Sequence, residues 1–468
     1  MNQKRQKAVE MNRRRFLRVT ASGAGVTVAV AGTPATPARH SPSPVVSAPP
    51  ARGAAVHPYD SPTMKGFPPS DDDQVTETNY RRSHAKCRWA MQHLRELYPT
   101  QPVSCRNGAN WELPRGNEIH DLKYCDSTGK ETSLRKHMEE HNTDGFLIMR
   151  HGEVVFEEYF RGMTPRTPHM LFSLIKSIEA TVIATLIGDG ILDLEATIEK
   201  YVPELKDTAY EGATVRQLLD MESGVRYGYD IDTESEFYRH QQSIGPAARQ
   251  LKVPVGSYNF LPTLQRTREH GEGMGYKESD HIALVWAAEK VTGIRFADLF
   301  SERIWSKVGA ECDAQVQCDQ LGHWGLHLAV TLRDLARWGQ MCLQDGKLDG
   351  KQIVPSAFFE DLRNNASVER LRQCPIAGNF FPAGIGYRSY FYRNEQHGEA
   401  IAGAGGMGQF CYVNPKYDTV IAFFSSECPW EASIAMGRPL DEVTRESHRL
   451  ERERWHACLE ICQAISAS

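Results

Sequence analysis

A Ser-x-x-Lys pattern is the sequence feature that most directly suggests chemistry, because it can pair a nucleophilic hydroxyl with a base. The pattern occurs four times, and the copies at Ser83, Ser127 and Ser133 lie in charged, turn-like or polar segments. Only Ser173 opens an apolar segment, and Lys176 lies on the same face of the helix predicted there. Burial among apolar neighbours would lower the pKa of Lys176 and make it a base for Ser173. The open alternative is that Ser173 only caps the helix while Lys176 is solvated.

The elements that must position this pair are predicted as strands at both ends of the body with helices between them. Apolar runs on either side of His151-Gly152 predict a β-hairpin, and short β-type runs return at 387–392, 409–413 and 419–424. Helical periodicity is found at 79–97, 132–142, 174–187, 215–221, 280–291, 329–343, 355–362 and 440–465. This order predicts one antiparallel sheet built from both ends of the chain, with a helical block inserted.

The N-terminal residues have the composition of a targeting segment. Arg13-Arg14-Arg15-Phe16-Leu17-Arg18 reads as Arg-Arg-x-Phe-Leu-Arg, and the apolar stretch from 19 to 31 ends in Ala29-Val30-Ala31, a small-x-small cleavage site. Residues 1–31 therefore resemble a twin-arginine signal peptide, which implies export to the periplasm or beyond, with the twin-arginine machinery as a partner. The stretch is too short for a stable membrane span. Residues 32–65, rich in Pro, Ala and Ser, are expected to be a disordered linker.

Charge and cysteine content exclude several classes of function. The net charge is −5 over 468 residues, and without residues 1–31 the chain keeps 47 basic and 58 acidic side chains. An acidic body argues against nucleic acid as a partner and against binding to an anionic membrane surface. The eleven cysteines include no Cys-x-x-Cys pair, so neither a zinc site nor a particular disulfide is predicted.

Three segments near Ser173 carry a family resemblance: Phe172-Ser173-Leu174-Ile175-Lys176-Ser177, Gly188-Asp189-Gly190-Ile191-Leu192-Asp193-Leu194 and Tyr201-Val202-Pro203-Glu204-Leu205. They resemble the serine β-lactamase and penicillin-binding-protein family, most strongly its branch of class C-like esterases and 6-aminohexanoate-dimer hydrolases. The resemblance implies an α/β (α+β) fold in residues 66–468, an antiparallel sheet flanked by helices with an inserted all-helical domain at roughly 190–330. It also implies a serine hydrolase that cleaves a small-molecule ester or amide through an acyl-enzyme, with no cofactor and no metal.

The family's second motif, Tyr-x-Asn or Tyr-x-Ser-x-Asp, is similar to Tyr276-Lys277-Glu278-Ser279-Asp280. The resemblance implies that Tyr276 is the catalytic tyrosine, which exchanges protons with the nucleophile and the leaving group. Glu278 departs from the family pattern, which has Asn or Ser at this position. A carboxylate beside Lys176 would keep the lysine charged and weaken its role as the base. A packed loop aromatic is the alternative for Tyr276.

The family's third motif is a Lys-Thr-Gly strand, and no Lys-[Ser/Thr]-Gly occurs here. Residues 402–409, Ala-Gly-Ala-Gly-Gly-Met-Gly-Gln, resemble instead the Ala-x-Gly-x-x-Gly-Gln strand of the hexanoate-dimer-hydrolase branch. By this resemblance Gly405 and Gly406 line the substrate site, where glycines let a substrate lie close to the strand backbone. Our hypothesis for the oxyanion hole is the pair of backbone amides of Gly406 and Ser173. A glycine-rich turn is the alternative. Tyr229 lies where the related hydrolases place aromatic residues that contact the substrate.

Three other functions stay open at this point. A β-lactamase or DD-peptidase is the second enzyme hypothesis, although the lysine of the Lys-Thr-Gly strand, which helps to hold a substrate carboxylate in the family, is missing. His137-Met138-Glu139-Glu140-His141 matches the His-x-x-Glu-His zinc-protease signature, but the segment is polar all round, which favours a solvated helix. A catalytically inactive binding protein is favoured by Glu278 and by the missing lysine. Penicillin acylation, chelator inhibition and labelling by serine-reactive phosphonates separate these functions.

Overall fold

The computed structural model of the protein describes residues 63–106, 111–120, 122–229, 235–245, 253–427, 433 and 438–467, so the predicted signal peptide and most of the predicted linker lie outside the described residues. The described β-strands are β1 (Thr100–Val103), β2 (Lys123–Cys125), β3 (Glu131–Ser133), β4 (Thr143–Arg150), β5 (Glu153–Tyr159), β6 (His169–Met170), β7 (Ala314–Cys318), β8 (Trp324–Val330), β9 (Lys347–Leu348), β10 (Lys351–Gln352), β11 (Ile385–Arg388), β12 (Phe391–Asn394), β13 (Ala400–Gly405), β14 (Gln409–Asn414) and β15 (Thr419–Ser425). The described α-helices are α1 (His84–Gln92), α2 (Leu94–Leu97), α3 (Leu134–Glu140), α4 (Leu174–Gly188), α5 (Val215–Leu219), α6 (Glu236–Ile244), α7 (Ser257–Phe260), α8 (Glu278–Thr292), α9 (Phe296–Phe300), α10 (Leu332–Leu343), α11 (Ser356–Asn365), α12 (Val368–Gln373) and α13 (Leu440–Ala467).

Strands from the two ends of the chain pair in one sheet, as predicted. Within the described residues the sheet has the order β11-β12-β13-β14-β15-β4-β5, and every neighbouring pair is antiparallel. β15 and β4 join the two ends, and at this junction Phe423 lies opposite Phe146 with the two rings stacked at 5.2 Å. The predicted hairpin turn is also confirmed, because His151 and Gly152 join β4 to β5 with φ angles of 52° and 78°.

Helices cover both faces of this sheet. On β14, Cys411 lies against Gly339 of α10, whereas the neighbouring Phe410 and Tyr412 pack on Trp455 of α13 with ring centroids 5.2 and 5.8 Å apart. Residues that alternate between two covered faces must all be apolar or paired, and for this reason the central strands read as nearly continuous apolar runs.

A second antiparallel sheet has the order β1-β7-β8-β6. Its strands β7 and β8 lie inside the stretch predicted as helical at 190–330, so this stretch ends in strands and is not helical throughout. The helix predicted from residue 329 begins at Leu332, where the Thr331 hydroxyl caps it by accepting a hydrogen bond from the Asp334 amide. A fully buried apolar run is compatible with both a strand and a helix, and the periodicity therefore misplaced this boundary.

Two further predicted elements are interrupted. The helix predicted at 79–97 breaks at His93, whose φ of −132° is not helical. The strand predicted at 387–392 is a hairpin of β11 and β12, because Ser389 and Tyr390 take positive φ angles of 47° and 64° and turn the chain. Both breaks depend on local backbone angles, at His93 and at Ser389-Tyr390, that hydrophobic periodicity does not reveal.

α4 and α8 form the buried centre that carries the site. α4 is buried from Leu174 to Leu186 and α8 from Glu278 to Ala288, and the two helices pack against each other. Helices that are covered on every side are typical of a protein interior. Charged side chains on such helices need partners, because an isolated buried charge is strongly unfavourable.

In the described part of the chain, no helix combines the length and the apolar character needed to cross a membrane. Eight cysteines there are free thiols: Cys125, Cys312, Cys318, Cys342, Cys374, Cys411, Cys458 and Cys462.

Candidate active site

Ser173 and Lys176 contact each other at the start of α4. The Lys176 Nζ donates a hydrogen bond to Ser173 Oγ over 3.0 Å, and the lysine is only 2% exposed. Ser173 Oγ caps no backbone amide, and the serine backbone is itself helical, with φ of −64° and ψ of −11°. The alternative of a capping serine beside a solvated lysine is therefore wrong.

Other copies of the pattern have ordinary structural roles. The Ser133 hydroxyl accepts a hydrogen bond from the Lys136 amide and caps α3. At the copy that begins with Ser83, the Lys86 Nζ donates to the backbone carbonyl of Gln74. The apolar context that singled out Ser173 therefore coincides with the contact between hydroxyl and amine.

A strained residue and a closely packed glycine position the nucleophile. Phe172, directly before Ser173, has a φ of 46°, a left-handed conformation that is unfavourable for an aromatic residue. At the end of β13, a Cβ added to Gly405 would lie 2.1 Å from the carbonyl oxygen of Leu171. The strand therefore passes directly against the start of α4, and Gly406, the next residue, lines the same cavity as Ser173.

Glu278 and Tyr276 lie beside the same lysine, and Tyr229 contacts Glu278. Glu278 is the first residue of α8, and its Oε2 lies 2.5 Å from Lys176 Nζ. The Lys176 Nζ lies 5.1 Å from the centroid of the Tyr276 ring. The Tyr229 hydroxyl donates to Glu278 Oε1 over 3.3 Å. The structure thus brings together all the residues predicted for the site, and Ser173, Tyr229, Tyr276, Glu278, Gly405 and Gly406 line one cavity.

The electrostatics of Lys176 differ from the first expectation. Burial lowers the pKa of Lys176, but the adjacent Glu278 outweighs it and, with a smaller effect of Tyr276, raises the pKa to about 12. Burial would raise the pKa of Glu278, yet Lys176 and His281 hold it far below its usual range. The expectation of a lowered lysine pKa is therefore wrong, and the expectation that Glu278 keeps the lysine charged is confirmed.

The Tyr276 hydroxyl is the other titratable group beside Ser173. Burial raises its pKa, while the Lys176 cation acts in the opposite direction. A phenol in this position stays protonated at neutral pH, and its ionised form is stabilised by the neighbouring ammonium.

The cavity above Ser173 has a volume of about 420 Å³. Aromatic side chains on its wall include Phe172, Tyr229, Phe237, Phe380, Phe381 and Tyr392. Charged side chains on the wall include Arg81, Glu427 and, from α13, Glu446, Glu451 and Arg454. This shape and lining fit a small molecule with an apolar portion, which loses its contact with water on entering.

The histidines of the zinc-protease signature are buried and not solvated. The rings of His137 and His141 stack with centroids 4.1 Å apart, and His141 Nδ1 lies 2.9 Å from Glu427 Oε1. His137 also packs edge-on against Phe423 of the main sheet, at 6.5 Å. Among the described residues, no group of three or more His, Cys, Asp or Glu side chains is arranged to hold a metal ion. The preference for a solvated helix was wrong because α3 buries this face against the sheet.

Residues 132–444 match the family described as Beta-lactamase. The chain belongs to the beta-lactamase family. It is 33% identical over 380 residues to the 6-aminohexanoate-dimer hydrolase of Paenarthrobacter ureafaciens, which covers 80% of this chain and 93% of the relative. A solved structure from Bacillus anthracis, assigned as a 6-aminohexanoate-dimer hydrolase, is 28% identical with a TM-score of 0.68 over 81% of this chain and 99% of that chain. EstCE1, a hydrolase with promiscuous acyltransferase activity, shares the fold at 14% identity and a TM-score of 0.51, over 67% of this chain and 96% of that chain.

This beta-lactamase-family chain is a hydrolytic enzyme of the serine β-lactamase fold, as the sequence resemblance implied. Two buried residues behind its lysine were not predicted. His281 lies 3.3 Å from Glu278 Oε2 through its Nε2, and its Nδ1 lies 2.8 Å from Glu179 Oε2. The available signal was spacing, since Glu179 follows Lys176 by three residues and His281 follows Glu278 by three.

Proposed function

We propose that this beta-lactamase-family enzyme cleaves an ester or amide bond through an acyl-enzyme on Ser173. The observation that carries the proposal is the 3.0 Å hydrogen bond between Lys176 Nζ and Ser173 Oγ at the wall of a cavity that several aromatic rings line. A hydroxyl with an amine and a phenol beside it has the groups needed for acyl transfer without a metal.

The proposed reaction has two halves. In the form of the Lys176–Tyr276 pair that has lost one of its protons, the pair takes the proton of Ser173 Oγ while the Oγ electron pair forms the bond to the substrate carbonyl carbon. As the bond from that carbon to the leaving nitrogen or oxygen breaks, the same proton passes from the pair to the leaving atom. Water then attacks the acyl-enzyme and releases the acid. The Gly406 and Ser173 amides hold the carbonyl oxygen while it carries negative charge, a contribution that commonly amounts to about 3–4 kcal/mol.

The substrate class that we infer is an amide or ester with an extended apolar segment. The aromatic walls support an apolar segment, and the relative from Paenarthrobacter ureafaciens, a hydrolase of the 6-aminohexanoate dimer by name, supports a linear amide. A β-lactam is the second candidate substrate class, and the sequence lacks the Lys-[Ser/Thr]-Gly lysine that would favour it.

A fluorophosphonate probe tests the nucleophile without knowledge of the substrate. We expect one adduct on Ser173, located by mass spectrometry, and no adduct after Ser173→Ala. Ser133→Ala is the matched control, because Ser133 belongs to another Ser-x-x-Lys copy and caps α3, and it should label normally. Folded protein that takes no adduct would favour the inactive binding protein, while rapid acylation by penicillin would favour the β-lactam hydrolase.

We also propose that the enzyme is exported by the twin-arginine route to the periplasm or the extracellular space. The support is the Arg13–Arg18 pattern followed by an apolar stretch and a small-x-small site. Replacing Arg13 and Arg14 together by lysine keeps the charge and should leave the protein in the cytoplasmic fraction. Unchanged export of that variant would argue against the twin-arginine route.

A further inference from the structure

The short segment that carries Tyr276 and Glu278 is attached to the protein on its other side by Lys277. The side chains of Tyr276 and Glu278 both lie beside Lys176. The Lys277 Nζ instead donates to the backbone carbonyl of Ser223 over 2.6 Å and to the Ser223 hydroxyl over 3.0 Å. The Lys277 backbone is extended, with φ of −159° and ψ of 148°. Successive side chains of an extended segment point to opposite sides, which explains this division.

Ser223 connects Lys277 to the first turn of α8. The Ser223 hydroxyl, which accepts from Lys277 Nζ, donates to Asp280 Oδ1 over 2.6 Å. The other carboxylate oxygen, Asp280 Oδ2, lies 3.7 Å from Lys277 Nζ. The side chains of Lys277 and Asp280 are 2% and 0% exposed, and Ser223 is fully buried. The ammonium group therefore has three protein oxygens around it in a buried site.

The loop after α5 also holds the backbone of this segment. The Gly275 amide donates to the Met221 carbonyl over 2.8 Å, and the Lys277 amide donates to Met221 Sδ over 3.4 Å. Met221 has a left-handed φ of 56°, so the loop turns sharply where it makes these contacts. Residues 275–277 are thus fixed along the loop, and Tyr276 lies in the middle of them.

A lysine is unfavourable at this position. Lys277 directly precedes α8, and the partial positive charge at the start of a helix disfavours a cation. Burial lowers the pKa of Lys277 and raises the pKa of Asp280, and each side chain opposes the effect on the other. A buried charged pair is weak evidence for stability, because apolar side chains of similar volume often pack as well. A role in positioning is therefore the better explanation for the lysine.

We propose that Lys277 is a positioning residue for acyl transfer, which anchors its segment to Ser223 and so holds the Tyr276 hydroxyl beside the nucleophile. The inference rests on the acyl-enzyme function proposed above. Lys277 is not among the described residues that line the cavity, so it acts through Tyr276 and not by contact with the substrate. A reacting centre tolerates little misplacement, because a shift of about 1 Å can lower the rate about a hundredfold.

The test separates the rate of Ser173 labelling by a fluorophosphonate into two constants. These are the limiting rate, kinact, and the probe concentration at half of that rate, KI. Lys277→Met removes the anchoring ammonium and leaves the wall of the cavity unchanged. We expect kinact to fall by about tenfold to a hundredfold, because the reacting groups are misplaced, while KI is unchanged because the probe still finds the same cavity.

A double variant separates positioning from stability. Lys277→Met leaves the buried Asp280 carboxylate without its opposite charge, which also destabilises the fold. Adding Asp280→Asn removes that charge and keeps an acceptor oxygen for the Ser223 hydroxyl. The double variant should recover most of the denaturant midpoint that Lys277→Met loses, yet its kinact should stay as low as that of Lys277→Met. A merely structural role would restore both quantities together.

Ser223→Ala is a milder variant, because it removes the hydroxyl contact of Lys277 and leaves the carbonyl contact. It should lower kinact by about two- to tenfold, the value of a single hydrogen bond. Lys290→Met is the matched control on α8. Lys290 is paired with Glu204 at the surface and is 41% exposed, so its loss should leave kinact and KI unchanged.

Each result has a distinct meaning. A lowered kinact with an unchanged KI in the Lys277 variants, together with normal constants in Lys290→Met, supports the inference. A kinact of wild-type size in the folded double variant overturns it, and so does a raised KI, which would place Lys277 in binding. If neither Lys277 variant folds, an unchanged kinact in Ser223→Ala overturns the inference and a lowered kinact supports it. Wild-type protein that is never labelled would instead overturn the proposed function.

Discussion

The Cα of Gly405 lies so close to the carbonyl oxygen of Leu171 that a Cβ on the glycine would be 2.1 Å from that oxygen. The Gly405 Cα and the Leu171 carbonyl oxygen are both backbone atoms, the first at the end of β13 and the second two residues before Ser173. The contact sets the distance between the glycine strand and Ser173, and hence the space left for the carbonyl group of a substrate.

Gly405→Ala should separate the strand from the start of α4. We expect a stability loss of about 1–3 kcal/mol from the overpacking and a fall in Ser173 labelling of at least about tenfold, since small misplacements at a reacting centre are costly. Gly273→Ala is the control, because its Cβ would meet only the end of Arg268 at 3.7 Å. Equal labelling rates in the two variants would show that the close approach is unimportant.

Lys176 and Glu278 should be strongly coupled in stability. Lys176→Met and Glu278→Gln each remove one partner of a buried ion pair, and each should cost about 3–5 kcal/mol. The double variant should be more stable than the sum of the two losses predicts, by about 1–3 kcal/mol. Urea denaturation at pH 7 measures all four free energies of unfolding, and additive losses would contradict the pairing.

Glu427 should make the enzyme sensitive to acid. Burial acts to raise the pKa of Glu427, but Arg454 and His141 hold it at about 2, below the ordinary value of 4.5. A carboxyl whose pKa is lowered on folding stabilises the protein above the unfolded pKa, and this contribution disappears as the pH falls through the folded value.

The free energy of unfolding should therefore fall between about pH 5 and pH 2, with on the order of 2–3 kcal/mol attributable to Glu427. Glu427→Gln should be less stable at pH 7 and less dependent on pH in this window. Glu131→Gln removes an exposed carboxylate, 71% accessible and paired with Lys123, and should behave like the wild type. Denaturant midpoints at a series of pH values decide the matter.

Substitutions of Tyr229 can separate the contribution of its ring from that of its hydroxyl. Its ring stacks on Phe237 with centroids 4.9 Å apart, and its hydroxyl donates to Glu278. Tyr229→Phe keeps the wall of the cavity and should lower the labelling rate by no more than about tenfold, the value of a single hydrogen bond. Tyr229→Ala removes the ring as well and should lower the labelling rate much further. Equal losses in both variants would place the whole effect in the hydroxyl.

The sequence by itself determined the elements whose signal is local. The hairpin at His151-Gly152, the apolar helix that begins after Ser173 and the short strands near the C-terminus follow from periodicity and turn residues, which act between near neighbours. The choice of Ser173 over three other Ser-x-x-Lys serines was local as well, because only this serine precedes an apolar helix. The sequence also showed that Glu278 stands where the family pattern has Asn or Ser.

Only the tertiary structure decided the charge state of the site. The burial of Lys176 could be inferred from its neighbours in the sequence, and burial alone predicted a lowered pKa for the lysine. Its pKa is raised instead because Glu278, about one hundred residues further along the chain, lies beside it. His281 and Glu179 lie close together because α8 packs against α4. The spacing within each helix shows which residues share a face, but it does not show that the two faces meet. Electrostatic interactions depend on distance in space and on the exclusion of water, and both are set by packing. For the same reason the strand β8 and the buried histidines of α3 were misread from local composition, since the fold determines which surfaces are covered.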